Sequence, residues 1–565
     1  SELGGSAGFA VRAAVPRAGL PSAYSAASAL PPIDLWLAGN EGRPAAALVA
    51  PAETPSTAPE RYPDAGELEA RLAERFDLGP DQVIVTAGAD DALLRIALAY
   101  LGPDRTALLP EPTFGMIERY VRIAGAAPRR VTWEPGVPFP TDAFLEENRP
   151  DVVYVVSPNN PTGAVASADD VRRLSAAFPN ALIVVDAAYA EFTDDDLTRT
   201  SLELPNAIVL RTFSKAFGAA SLRVGYALGR ASVVAPLRAA GNPYPCASAS
   251  LARAAELLDV DVSAFVDRVR RERSALAGLL GELGLDASAG QGNFVYARTD
   301  RAPEIAALLA GLGIAVRAFD DPWPALRITC PGEPERFERL ERALRAVCAP
   351  EALLFDMDGV LADVSRSYRG AILRTARSFG VRLSAGDIDR AKANGDANDD
   401  WSLTQRMLAE RGVDAELAEV TRRFERFYQG KSPRPGLKSR ERLLVPKDQL
   451  ARLRGRARLG IVTGRPRSDA AEFLERFGLT ELFDSVVCRE DAELKPDPAP
   501  TRLALEQLGA TSAWLVGDTP DDVRSARSAG VVPIGVDAGV GADALRASGA
   551  GVVVASATAL EELLP

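Results

Sequence analysis

The sequence predicts an α/β protein made of two successive α/β halves. Two observations predict it. Short apolar runs rich in β-branched residues recur between stretches of helical spacing, first over residues 33–348 and again over 351–565. The runs are apolar throughout rather than alternating, as in strands covered on both faces of a largely parallel sheet. The length of 565 residues, at roughly 150 residues per domain, adds that each half contains more than one structural unit.

In chain order, residues 1–32 are rich in Ala, Ser and Pro and read as an N-terminal arm. Val83–Val85, Val152–Val156, Ile183–Val185 and Ile208–Leu210 read as buried strands. Ala65–Arg75, Leu251–Leu258 and Val262–Leu283 have helical spacing. From about residue 284 to 348 the pattern becomes a smaller α+β unit, expected to form a small domain together with the arm. Only Cys348–Ala352 separates its last helix from the next strand, and this join is not Gly/Ser-rich. The second half opens on Leu353-Leu354-Phe355, carries a polar helical insert at about 364–440, and resumes with a strand near Leu459–Val462.

Composition narrows the chemistry. There is no histidine, which excludes Ser-His-Asp and Cys-His machinery and any His-ligated metal. Of six lysines only Lys215 lies within the first 348 residues. A net charge of -12 argues against nucleic-acid binding. No run of about 20 apolar residues predicts a membrane span, and the first residues show no signal-peptide pattern. Four cysteines without metal spacing read as reduced thiols of a cytoplasmic protein.

In the first half, Thr212-Phe213-Ser214-Lys215 follows a strand, with Arg223 eight residues on. A lysine there can form a Schiff base with an aldehyde, and neighbouring hydroxyls and an arginine can hold a phosphate. Asp186 ends the strand Ile183–Val185, with Tyr189 behind it, where a carboxylate can keep a pyridine nitrogen protonated. Ser157-Pro158-Asn159-Asn160-Pro161-Thr162-Gly163 also follows a strand. Each alone has a plain alternative: a solvated lysine, a helix N-cap, a turn. Their order along one chain is what carries the argument.

These stretches, with Arg61-Tyr62-Pro63-Asp64, Gly88-Ala89-Asp90-Asp91, Pro112-Thr113-Phe114, Leu222-Arg223-Val224-Gly225-Tyr226 and Leu326-Arg327-Ile328-Thr329, resemble the class I/II pyridoxal-phosphate (PLP) aminotransferases, and within them the histidinol-phosphate aminotransferases. The resemblance implies a large, mostly parallel-sheet domain with a small α+β domain. It makes Lys215 the Schiff-base lysine and proton shuttle. Asp186 would pair with the pyridine nitrogen, Asn160 and Tyr189 with the phenolic oxygen, and Phe114 would stack on the ring. Backbone N–H groups of Ala89 and Asp90 at a helix start, with Ser214 and Arg223, would hold the cofactor phosphate. Arg317 and Arg327 would grip the substrate's anionic end, which two guanidinium groups suit when it is a phosphate. The tyrosine matching Tyr62 reaches into the partner's site, which implies a homodimer. Asn40-Glu41-Gly42-Arg43 departs from the family's Asn-Glu-Asn-Pro, and Pro44–Pro59 is unusually rich in Ala and Pro.

In the second half, Leu353-Leu354-Phe355 runs into Asp356-Met357-Asp358-Gly359. Later come Thr463-Gly464-Arg465, Lys495-Pro496-Asp497, and Gly517-Asp518-Thr519-Pro520-Asp521-Asp522. Carboxylates just after buried strands sit where α/β folds place ligands. The chemistry this set suits is attack of Asp356 on phosphorus, with Asp358 as general acid and base. Mg²⁺ would be held by Asp356, Asp518 and the Asp358 backbone carbonyl, oriented by Asp522. Thr463 and Lys495 would hold the phosphoryl oxygens. The set resembles the haloacid dehalogenase (HAD) superfamily, a Rossmann-like core here with a helical cap of its first subclass. Asp358 points to a phosphatase, with phosphomutase as the lesser alternative.

Together the halves imply consecutive reactions on small molecules. A phosphorylated ketone is transaminated with a donor such as glutamate, and the amino-alcohol phosphate is then hydrolysed. The leading expectation is imidazole-acetol phosphate to histidinol phosphate to histidinol. The alternatives are another amino alcohol for specialised metabolism, a PLP phospho-amino-acid decarboxylase fused to a phosphatase, and one half serving as an inactive scaffold.

Overall fold

The computed structural model describes residues 31–42, 61–288, 290–395, 399–431 and 433–564. Of the expected arm only residues 31–32 are among them, and Pro44–Pro59 lies outside. The chain divides into two compact units. One consists mainly of Glu41–Val266 with Gly290–Asn293; the other includes Asp267–Ala289 and Phe294–Pro565, joined by the segment that ends at Asn40.

The first unit is built on seven strands: β1 (Val83–Thr86), β2 (Thr106–Glu111), β3 (Ala127–Thr132), β4 (Val152–Val156), β5 (Leu182–Asp186), β6 (Ala207–Thr212) and β7 (Gly225–Gly229). Their order is β1-β7-β6-β5-β4-β2-β3. Only β7 runs antiparallel to its neighbours. Successive residues enter opposite cores, because side chains alternate across a strand. Val153, Val155, Ile183 and Val185 join one core; Val152, Tyr154, Val156 and Val184 join the other. Both faces are therefore dry, which is why the strands read as unbroken apolar runs. Thr86 and Thr212 both stand opposite Gly225. The ends of β1, β2, β4, β5 and β6 and the start of β7 consequently share one edge. The helix α1 (Gly88–Tyr100) starts from that edge.

The second unit is built on two sheets of four and six strands, with shorter two-stranded pairings besides. The smaller is antiparallel, with β8 (Asp286–Ser288), β9 (Phe294–Arg298), β10 (Arg317–Phe319) and β11 (Ala325–Thr329) in the order β10-β11-β9-β8. Two helices accompany it, α2 (Ala302–Gly311) and α3 (Pro334–Cys348). The larger is parallel, with β12 (Ala352–Phe355), β13 (Arg458–Val462), β14 (Ser485–Val487), β15 (Ala513–Gly517), β16 (Val532–Val536) and β17 (Val552–Val554) in the order β14-β13-β12-β15-β16-β17.

Between β12 and β13 lies the insert, with helices α4 (Tyr368–Ser378), α5 (Ala385–Ala393), α6 (Asp400–Ala409) and α7 (Leu417–Gln429). Ser384 and Asp387 form a capping box at the start of α5. Val420, Phe424 and Tyr428, spaced four apart, give α7 its buried stripe. The chain enters and leaves the insert through Ala362–Asp363 and Arg442–Leu443, paired antiparallel.

The parallel sheet packs directly on the small one's helices. The indole Nε1 of fully buried Trp514 donates to the carbonyl of Ala346 in α3 at 2.8 Å. Arg301, at the start of α2, donates to the Leu563 carbonyl at 2.6 Å, and Arg527 to the Pro32 carbonyl at 2.7 Å. At Gly551 a Cβ would stand 1.8 Å from the Ala307 carbonyl oxygen and 2.9 Å from the Gly311 nitrogen. The division into units therefore falls inside the first half rather than at the 348–351 join. Gly551→Ala is expected to force α2 off the sheet and to lower stability by about 1–3 kcal/mol, as overpacking does. Thermal unfolding of the full chain checks this, and an unchanged profile would contradict the close packing.

Candidate active sites

The shared edge of the seven-stranded sheet gathers the residues expected to hold the cofactor. Asp186 ends β5, Lys215 follows β6, Asn160 follows β4, Phe114 follows β2, Arg223 precedes β7, and Ala89 and Asp90 open α1. Lys215 Nζ lies 5.6 Å from the centre of the Tyr189 ring, which is buried. Asn159 is fully buried and fixes the turn that carries Asn160. Its amide donates to the Pro112 carbonyl at 2.9 Å and to Thr162 Oγ1 at 3.0 Å, and its oxygen accepts from Thr113 Oγ1 at 2.9 Å. Thr212 Oγ1 donates to Ser214 Oγ at 2.9 Å, and Arg223 Nη2 pairs with Asp90 Oδ2 at 3.3 Å.

Asp186 supports the cofactor expectation electrostatically. Its carboxyl accepts the Ala188 N–H at 3.1 Å, yet burial pushes its pKa up to about 6, with Asp90 adding to the rise and Lys215 opposing it. A buried acid in that state fits a cationic N–H partner such as a pyridinium. The departure at Gly42 also has a physical basis. A Cβ there would stand 1.7 Å from the Lys215 carbonyl oxygen, so the family's asparagine would collide with the lysine's own backbone. Tyr62 is 79% exposed and stacks on Tyr244 with ring centres 4.6 Å apart.

In the second unit, Arg317 and Arg327 stand directly opposite each other on β10 and β11, so their side chains share a face. Both guanidinium groups lie near the Phe319 ring, at 5.8 and 5.7 Å. Arg327 is buried and donates to the Ala38 carbonyl; Arg317 is exposed.

The parallel sheet of the same unit gathers the second set. Asp356, Thr463 and Asp518 directly follow the adjacent strands β12, β13 and β15. Carboxylate oxygens of Asp356, Asp518 and Asp522, all buried, lie within 4.8 Å of one another. Lys495 Nζ donates to Asp356 Oδ1 at 2.7 Å, to the Val462 carbonyl at 3.0 Å and to Asp522 Oδ1. Burial raises the pKa of Asp356, Asp522 and Asp358 raise it further, and Lys495 opposes the rise. Burial likewise drives Asp518 well above the usual carboxylate range, with Lys392 opposing and the neighbouring acids adding. For Lys495 burial acts downward, but Asp356 and Asp522 outweigh it and the net shift is upward. Three mutually repelling carboxylates fit a divalent cation. Gly359, at φ +78°, leaves the space, since a Cβ would stand 2.2 Å from Asp518 Oδ2.

The Asp358 carboxylate is not in that cluster. It accepts Arg465 Nε at 2.6 Å. Arg465 is buried, and its other two nitrogens bond Glu441 at 3.1 and 3.2 Å. Tyr428, at the end of α7, donates to the same Glu441 at 3.1 Å. Sequence reasoning quoted Arg465 only as the neighbour of Thr463 after a strand and did not find Glu441. Nor did it find Lys392, Asp399, Asp400, Trp401 or Arg489. With Asp356, Thr463 and Asp518 these line one pocket that opens to solvent. The available signal was the scarcity of lysine, which marks Lys392.

Residues 32–346 match the family Aminotransferase class I and II, and residues 353–536 match Haloacid dehalogenase-like hydrolase. An imidazoleglycerol-phosphate dehydratase of Phytophthora nicotianae is 47% identical over 194 residues, which is 33% of this chain and 43% of that protein. This chain thus spans less than half of that relative's length. A histidinol-phosphate aminotransferase of Caldanaerobacter subterraneus subsp. tengcongensis is 34% identical over 267 residues, covering 46% of this chain and 76% of that protein. A solved structure from Erwinia carotovora atroseptica, assigned as a histidinol-phosphate aminotransferase, superposes with a TM-score of 0.50 at 26% identity, covering 56% of this chain and 98% of the other.

Proposed function

Because the chain belongs to the class I and II aminotransferases and continues into a haloacid dehalogenase-like hydrolase, we propose that it is a bifunctional enzyme. Its first half, 33–348, transaminates a phosphorylated ketone. Its second half, 351–565, hydrolyses the resulting amino-alcohol phosphate. The favoured substrates are imidazole-acetol phosphate and then histidinol phosphate. One observation carries the reading: both halves of one chain hold cations suited to phosphate, the facing Arg317 and Arg327 in the first and Lys495, beside the carboxylate of Asp356, in the second. The names of two relatives, one for imidazoleglycerol phosphate and one for histidinol phosphate, point to the same series of compounds.

In the first site, PLP when bound supplies the electron sink that makes the α-proton of the amino compound acidic. Lys215 anchors the cofactor and moves that proton. With PLP bound, Asp186 would keep the ring nitrogen protonated, Asn160 and Tyr189 would serve the phenolic oxygen, and Phe114 would cover the ring. Ala89, Asp90, Ser214 and Arg223 would hold the cofactor phosphate. The exposed Tyr62 is suited to reach a second copy of the chain in a homodimer.

In the second site, an Asp356 oxygen attacks phosphorus, the bond to the ester oxygen breaks, and Asp358 gives that oxygen its proton. Asp358 then takes a proton from the water that releases phosphate. Lys495 and Thr463 hold the phosphoryl oxygens. Asp356, Asp518 and Asp522 would hold Mg²⁺, which offsets charge between nucleophile and phosphate. No helix among the described residues is long and apolar enough to cross a membrane, and four buried, unpaired cysteines suit the cytoplasm.

The test uses the purified full chain with PLP and Mg²⁺. Histidinol phosphate is offered alone, reading phosphate, and with 2-oxoglutarate, reading glutamate. Both products are expected; neither appearing would refute the histidine assignment. Gly42 favours a second reading, another amino alcohol, because it alters the segment next to Lys215. Under that reading the same assay succeeds only with a different amino-alcohol phosphate.

A further inference from the structure

The cap wall of the phosphatase pocket carries one buried carboxylate that has no close hydrogen-bond donor. Asp400, the first residue of α6, lines the pocket that holds Asp356 and Asp518, and it is 9% exposed. Its Oδ1 is buried and ion-paired with Lys392 Nζ of α5 at 3.4 Å, with no closer hydrogen-bond donor. An aspartate at a helix start ordinarily serves the helix N-terminus. Here Asp399 already does so, accepting the Trp401 N–H at 3.2 Å and the Ser402 hydroxyl at 2.5 Å. The other groups on this wall are also engaged. Arg489 pairs with Asp399 at 3.5 Å and lies 4.2 Å from the Trp401 ring centre, while Trp401 Nε1 donates to Glu425 at 3.1 Å. A carboxylate has lone pairs for several donors; this one has a single cation at 3.4 Å, and its residue lines the pocket.

We propose that Asp400 is the specificity-determining residue of the phosphatase site, accepting the substrate's amine so that the site selects amino-alcohol phosphates over the corresponding keto phosphates. The inference rests on the phosphatase reading above. Both the substrate and the product of the first reaction are phosphate monoesters, differing only where a carbonyl is replaced by an ammonium group. A carboxylate facing that position gains a charge-assisted hydrogen bond from the ammonium group and is left unpaired against a carbonyl oxygen. The second site then spares the ketone until it has been aminated. Lys392, which lines the same pocket, is paired with the carboxylate at 3.4 Å.

The experiment measures phosphate release by the full chain with Mg²⁺ from histidinol phosphate, imidazole-acetol phosphate and p-nitrophenyl phosphate, with no amino donor or acceptor added. The wild type is expected to prefer the amine over the ketone in kcat/KM by on the order of 10- to 100-fold, the worth of one charged hydrogen bond to a buried group. Asp400→Asn, which offers a donor as well as an acceptor, should bring that ratio to within about threefold of unity. A folding defect would lower both rates and leave the ratio alone. Turnover of p-nitrophenyl phosphate without an amine preference, or an Asp400→Asn chain that keeps the preference, overturns the inference while the phosphatase reading stands. No hydrolysis of any of the three overturns the phosphatase reading and the inference with it.

Discussion

A Lys215→Ala chain should form no measurable glutamate from histidinol phosphate and 2-oxoglutarate, yet should release phosphate at the wild-type rate. Lys215 is the only lysine in the first 348 residues, so no neighbour can substitute as amine or base. Its strand position is set by β6, whose Ile208 and Leu210 are fully buried, so the backbone should survive loss of the side chain. General acid–base catalysis alone contributes roughly 10²–10⁴ in rate, and here the covalent anchor goes with it, so transamination should fall by about 10³-fold or more. The chain should also lose the visible absorbance of bound cofactor. Retention of more than a tenth of the transamination would remove Lys215 from its proposed role. Loss of both activities would refute two independent sites.

Asp356→Asn should do the reverse. The amide keeps the shape of the carboxylate and an oxygen for Lys495, which still has Asp522 and the Val462 carbonyl as partners. It is not a nucleophile, so no covalent phosphate can form. Phosphate release should drop on the order of 10⁴-fold or more, as loss of a nucleophile does in enzymes that depend on one. Transamination at the other site should stay at the wild-type rate, which separates a lost nucleophile from a folding defect. Residual phosphatase activity within tenfold of the parent would mean that another group attacks phosphorus.

These two residues were legible because their chemistry is written locally. An apolar run such as Leu353–Phe355 or Ile183–Val185 declares a buried strand, and the polar residue that ends it lands at the ligand edge of the sheet. The helical insert was legible from its polar periodicity. The partners of Asp358 were not. Arg465 is 107 positions from it, and Glu441 another 24 from Arg465. No periodic pattern links residues whose meeting depends on the return path of the insert. Asp400 was hidden for a related reason: next to Asp399 at a helix start it reads as capping, and its burial in the pocket wall shows only in the folded chain. The pairing of Arg317 with Arg327 needed a strand register that the composition of either strand leaves open.

The contact of Gly551 with Ala307, and of Trp514 with Ala346, has a consequence for how such a chain can be taken apart. The short join at residues 349–351 looks like the place to cut, but a cut there would strip a hydrolase sheet from the helices that cover it and leave two raw faces. A glycine lets a helix of one catalytic half seat against the sheet of the other, so separating the halves costs that packing and not merely a linker. The fusion is held by its interior rather than by its hyphen.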